Sequence, residues 1–131
     1  MNSPAEYALA LLNKARDDAY VVRALAADAA APDWIVGFHA QQAVEKAIKC
    51  VLTKHAIEVP RTHNLAMLIE LLRVDDLPLP PDAADPVRLT PYGTALRYDD
   101  GLGGIEPALE RTWVTGVVSR LIDWAADALA A

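Results

Sequence analysis

Three segments of the chain repeat apolar residues with a helical period, and this constrains the fold more than any other feature. In the first, Leu11, Leu12, Ala15, Ala19, Val22 and Leu25–Ala26 form one stripe. In the second, Val44, Ala47, Ile48, Val51 and Leu52 share a face, with Trp34 and Phe38 at its margin. In the last, Trp113, Val117, Leu121, Trp124 and Ala128 line up. Apolar residues make up 53% of the chain, and much of that is Ala and Leu, both good helix formers. Strand candidates are scarce, since β-branched alternations are few. The expectation is an all-α fold: an up-and-down four-helix bundle with an additional short helix, built as a single domain over residues 1–131.

Local signals place the boundaries. Ser3-Pro4-Ala5-Glu6 reads as a capping box that opens a first helix running to about Asp28. Ala31-Pro32-Asp33 breaks the chain, Asp33 is a candidate N-cap, and a second helix is expected from about Trp34 to His55. Thr62 is a candidate cap for a shorter helix through about Arg73. Residues 74–91 carry five prolines, anchored by Leu77, Leu79 and Leu89. A further helix is expected over Tyr92–Tyr98, starting there or already near Ala83 with a break before Pro91. After a glycine-rich turn from Gly101 to Gly104, a last helix is expected from about Glu106 to Ala130.

The totals exclude several classes. A net charge of −6 disfavours non-specific phosphate binding, although it leaves room for a local basic groove. A single cysteine, Cys50, cannot close an internal disulfide, which suits a reducing compartment. The N-terminus lacks a basic stretch followed by an apolar one, and no apolar run approaches the ~20 residues that span a bilayer. A cytoplasmic protein without membrane contact is expected.

The second helix carries more polar chemistry than a core needs. His39, Gln42, Lys46 and Lys49 fall within about 80° of one another on a helical wheel. This second face is net positive if Glu45 stays at its boundary, while Gln41 and Glu45 lie near the apolar margin. Those two are expected to pair with a neighbouring helix or to meet another chain. Two readings of the strip stand open: a solvated surface, or a face that binds a ligand. No metal or other cofactor is expected. His39 and His55 sit roughly 24 Å apart along one helix, and His63 brings no Cys or carboxylate spacing with it. Nothing cationic at a helix start marks Cys50 as a nucleophile.

The string FHAQQAVEKAIK, followed after a short turn by VPRTHNLAMLIELL, resembles the HEPN domain (higher eukaryotes and prokaryotes nucleotide-binding domain). LTPYGTALRYDDG resembles that family's second landmark, a helix ending in Arg-Tyr, and WVTGVVSRLIDWAADAL fits its closing helix. Where the family commonly has Pro after Arg-Tyr, Asp99 stands here. The resemblance spans nearly the whole chain and points to the prokaryotic stand-alone type. It implies four long helices plus a short one, usually paired as a homodimer. It also implies a working partnership with a minimal nucleotidyltransferase, in the manner of a toxin–antitoxin system. Some members are toxin ribonucleases; others are thought to bind nucleotides or polynucleotides without cutting them.

The ribonuclease branch is marked by Arg, four to six residues, then His. His39 is preceded at the required spacing by Pro32, Asp33 and Trp34; His55 by Ile48, Lys49 and Cys50; His63 by Ala56, Ile57 and Glu58. The signature is absent, so a non-catalytic role is expected. The candidate surface for a nucleotide or substrate is His39, Gln42, Lys46, Lys49, His63, Arg97 and Tyr98. Lysines would approach phosphates, His39 and Gln42 would hydrogen-bond, and Tyr98 would stack on a base. Competing structural roles are a pairing of Arg97 with Asp99, Asp100 or a helix C-terminus, a core-edge Tyr98 and a helix-start His63 bonded to nearby backbone. A ribonuclease with a divergent site, acting on RNA, and a purely structural homodimer anchored by Trp34, Gln41 and Glu45 are the alternative functions.

Overall fold

A computed structural model describes residues 3–93 and 108–131. Its helices are α1 (Pro4–Ala26), α2 (Asp33–Lys54), α3 (Leu65–Val74), α4 (Ala84–Val87) and α5 (Arg111–Ala130), and residues 90–93 are also helical. No strand occurs among the described residues. The all-α bundle expected from the apolar stripes is what the chain forms.

α1 begins as the sequence indicates. Ser3 Oγ accepts from Glu6 N and the Glu6 carboxylate accepts from Ser3 N, closing a capping box in front of Pro4. Other starts differ from expectation. Pro32, not Asp33, occupies the N-cap of α2, because the Asp33 carboxylate is drawn away to Arg111 and to Leu109 N. Asn64, not Thr62, caps α3 by accepting from Met67 N, and the Thr62 hydroxyl instead accepts from Asn64 N. α5 starts at Arg111 rather than near Glu106, with Glu110 as its N-cap. Residues 94–98 of the helix expected over Tyr92–Tyr98 lie outside the described residues.

The C-termini of α2 and α3 share one device. Ala56 and Asp76 adopt left-handed backbone with φ of 58° and 54°. Ile57 N then bonds to Leu52 O and Ala56 N to Thr53 O; Leu77 N and Asp76 N repeat this on Leu72 and Arg73. These are Schellman closures without glycine.

α2 is the central helix. Its small residues Gly37, Ala40, Ala43 and Ala47 are buried together with Val36, Val44, Ile48, Cys50, Val51 and Leu52, so neighbours close over most of its circumference. α1 covers one side through Ala8, Leu12, Ala15, Ala19 and Val22, and α5 another through Val114, Val117, Val118, Leu121 and Ala125. The burial stripe of α5 is rotated from the expected one: Trp113, Trp124 and Ala128 are only half-buried at its edge. Trp113 instead donates its indole N–H to Asp85 and stacks beneath Arg88.

Two clamps fix the helix directions. Arg111 pairs with Asp33 and donates to the carbonyls of Leu25, Asp28 and Ala31, tying the end of α1 to the starts of α2 and α5. Lys54 donates to the carbonyls of Ala128, Leu129 and Ala131, tying the end of α2 to the end of α5. α5 therefore runs parallel to α2 and antiparallel to α1, as the second and fourth legs of an alternating bundle must. The intervening leg is interrupted where the prolines fall, and Pro80 and Pro86 are themselves buried.

Candidate functional site

Because α2 is covered nearly all round, only a strip about 100° wide faces outward by helical geometry. It carries Phe38, His39, Gln42, Lys46 and Lys49, all partly exposed. A carboxylate stands on each edge of the strip.

On the first edge is Asp18 of α1. One carboxylate oxygen meets His39 Nδ1 at 3.0 Å and the other accepts from Lys46 Nζ at 2.5 Å. His39 and Lys46 are seven residues apart, about two turns, so both reach a single partner on the neighbouring helix. The edge of Phe38 packs against the His39 ring, with centroids 5.3 Å apart.

On the second edge is Glu45, a buried side chain of α2 itself. Its carboxylate meets His63 Nδ1 at 2.7 Å and accepts from Lys49 Nζ at 2.9 Å and Gln41 Nε2 at 2.9 Å. Burial pushes the Glu45 carboxyl up, but bonds from Lys49, Gln41 and His63 outweigh it and hold the group below its ordinary value. Gln41 is fully buried; its amide also reaches His63 O at 3.4 Å and its oxygen accepts from Gln42 Nε2 at 2.7 Å. Every polar atom of the Gln41 amide thus has a partner, as its burial demands.

Two glycines let the following segment close over this network. A Cβ on Gly93 would lie 2.8 Å from Gln41 Cδ, and one on Gly37 would lie 2.2 Å from the Tyr92 ring. The backbone at Gly93 therefore lies against the Gln41 amide, and the Tyr92 ring lies on the bare backbone of α2. Thr90 Oγ1 accepts from Leu65 N, which joins the start of α3 to the same place.

Of the residues singled out from the sequence, the structure gathers His39 with Lys46, and Lys49 with His63, while Gln42 joins the second group through Gln41. Arg97 and Tyr98 lie outside the described residues. The expected net positive face is corrected: Asp18 and Glu45 compensate Lys46 and Lys49 one for one. Asp18 was legible only by folding the chain back at the loop near Ala30, which sets it opposite Gln42, between His39 and Lys46.

The remaining groups offer less chemistry. Cys50 is fully buried, and burial pushes its thiol up to about 11, so it stays protonated. No group of three His, Cys, Asp or Glu is gathered for a metal ion among the described residues. No helix among them is long and apolar enough to cross a membrane. What the strip offers is hydrogen bonding: Lys46 and His39 share the Asp18 carboxylate, and Lys49 and His63 share Glu45.

A family model described as the HEPN domain matches residues 8–123. No curated protein and no solved structure matches the chain.

Proposed function

The chain belongs to the HEPN domain family, and on that premise we propose that it is the non-catalytic helical partner of a separate minimal nucleotidyltransferase. In this reading it holds a nucleotide, or the substrate that the transferase modifies, as one half of a toxin–antitoxin-like pair in the cytoplasm. The chain would pair with a second copy of itself, and His39, Gln42, Lys46, Lys49 and His63, with Arg97 and Tyr98, would form the contact surface.

The observation that carries this reading is that His39 and His63 are paired with carboxylates and, among the described residues, not with an arginine. Cleavage of RNA by this family's route asks for a histidine set beside an arginine, with the arginine steadying phosphate charge. Here His39 sits on Asp18 and His63 on Glu45. The sequence also lacks Arg at the signature spacing before any of the three histidines. With no arginine paired to them among the described residues, these histidines and their neighbouring lysines offer hydrogen bonds but not the arginine that steadies phosphate charge during cleavage.

A ribonuclease with a divergent site is the second reading, and one contact favours it. Asp18 meets Nδ1 of His39, which leaves Nε2 for proton transfer in the way that a carboxylate orients a catalytic imidazole.

Co-expression with a minimal nucleotidyltransferase from the same genome, followed by size-exclusion chromatography with light scattering, tests the first reading. A stable hetero-complex supports it, and a homodimer that ignores the transferase overturns it. Incubation of the purified chain with RNA, beside a His39→Ala control, tests the second. Cleavage that disappears in the control would establish a nuclease.

A further inference from the structure

A furrow separates α1 from α5 on the flank of α1 turned about 160° away from Asp18. It holds two cavities of about 310 and 300 Å³, which share Ala19, Arg23 and Ser119. The α5 wall is low because its residues there are small: Thr112, Thr115, Gly116 and Ser119. The α1 wall carries Arg16 and Arg23, which are about two turns apart and so lie on the same flank.

Lys46, Lys49, Arg73, Arg88, Arg111 and Arg120 each have a carboxylate within 4.0 Å, and Lys54 caps carbonyls. The other four cations among the described residues, Lys14, Arg16, Arg23 and Arg61, have no carboxylate within 4.0 Å, and of these only Arg16 and Arg23 line the furrow. Thr115 turns its hydroxyl back to Thr112 O at 3.0 Å, which leaves the hydroxyls of Thr112 and Ser119 as the donors facing the furrow. The one carboxylate in the lining is Asp123.

We propose that this furrow binds a condensed phosphate group, two linked phosphoryls such as those of inorganic pyrophosphate or of a nucleoside di- or triphosphate. Each guanidinium is a planar fork that matches a phosphoryl edge, and two forks two turns apart match two phosphoryls better than one. Hydroxyls opposite them complete the donor set. Each cavity lies at the bottom of the ~300–1,000 Å³ range of ligand pockets, which suits a small ligand. The net charge of −6 opposes a long polyanion and leaves a short one less affected. Asp123 opposes the anion and keeps the site weak. None of these residues belongs to the strip on α2, so this site and the proposed partner-binding role stand or fall separately.

The test is a titration of the whole chain with pyrophosphate, and separately with ATP, at low ionic strength. It is followed by calorimetry and by amide shifts in wild type, Arg16→Gln, Arg23→Gln and Asp123→Asn. Both ligands are expected to move the amides from Thr112 to Ser119. Each arginine substitution should weaken binding about tenfold, the loss of one charge-assisted contact, and Asp123→Asn should tighten it. Equal affinity for the two ligands, read at the amides from Thr112 to Ser119, identifies the linked phosphoryls as sufficient, and tighter ATP binding at those same amides identifies a nucleotide as the source. Absence of shifts at those amides at millimolar pyrophosphate overturns the proposal. So do shifts matched by sulfate at equal ionic strength, and wild-type affinity in both arginine variants; since both side chains are exposed, these variants should fold.

Discussion

His63 Nδ1 lies 2.7 Å from Glu45 Oε1, and this contact joins the loop before α3 to a buried carboxylate on the central helix. Lys49 and Gln41 share the same carboxylate, so three donors from two parts of the chain converge on one anion. Removing one of them costs less than removing the acceptor, which would strand all three.

The first prediction concerns pH. Burial raises Glu45, the three donors lower it more, and the net is a group held below its ordinary value of 4.5. A carboxyl lowered in the folded chain adds stability that is complete above the unfolded value and is lost as pH falls through the folded one. Glu45→Gln should therefore cost about 1–3 kcal/mol at pH 7. The gap to wild type should close as pH drops below about 4.5. Urea denaturation of both chains at pH 7 and pH 3.5 reads this directly. An equal gap at both pH values would show that the charge of Glu45 contributes nothing.

The second concerns the contact between Gly37 and Tyr92. A Cβ at position 37 would stand 2.2–2.6 Å from three atoms of the Tyr92 ring, too close for any rotamer adjustment within α2 to relieve. Gly37→Ala should destabilise the fold by about 1–3 kcal/mol, despite the better helix propensity of alanine. Adding Tyr92→Leu should recover part of that loss, so the two substitutions are expected to be non-additive. Thermal unfolding of the two single variants and the double variant supplies the cycle.

These contacts also mark where the sequence stops being legible. The stripe on α1 names its core face because burial follows a helical period where one face meets the bundle, and the stripe on α2 names part of a burial that closes over most of that helix. The same logic fails for Trp113 and Trp124, since α5 presents Val114, Val118 and Ala125 inward and leaves the tryptophans at the edge. Spacing put them in the stripe with Val117 and Leu121, and helix rotation moved them to its edge. His39, Lys46, Lys49 and His63 were visible as a polar group, but the carboxylates that compensate them were not. Asp18 arrives from another helix, and Glu45 looked like a boundary residue until α3 and its preceding loop covered it. Arg111 carried no local signal at all, because its partners are carbonyls and one carboxylate from 78 to 86 residues away. Long-range polar pairs have no period, so nothing in a helical wheel reports them.

The third prediction is a stabilising change. Ala56 holds φ at 58° to close the end of α2, a conformation in which its Cβ crowds the backbone. Glycine meets no such penalty, and Ala56 is exposed, so no packing is lost with the methyl group. Ala56→Gly should raise stability by about 0.5–1 kcal/mol. A rise in the urea midpoint with an unchanged slope confirms it. A fall would mean that the entropy gained by the unfolded chain exceeds the strain relieved.

The last prediction tests the clamp that sets helix direction. Arg111 pairs with Asp33 through Nε at 3.2 Å and Nη2 at 3.0 Å, and its Nη1 donates to Leu25 O at 3.0 Å and Asp28 O at 2.8 Å. It thereby adds a second donor to Leu25 O and Asp28 O, which already accept from Asp28 N and Ala31 N, and it answers the carboxylate that failed to cap α2. Arg111→Ala should cost about 1–3 kcal/mol, because it leaves the Asp33 carboxylate without its cation and Ala31 O without its side-chain donor. Arg111→Lys should recover little, since one ammonium cannot reproduce a fork that reaches both Asp33 and the end of α1. Hydrogen exchange distinguishes this clamp from a general packing role. Faster exchange should concentrate in the last turn of α1 and the first turns of α2 and α5, with the centre of α2 at Val44–Ile48 protected as before.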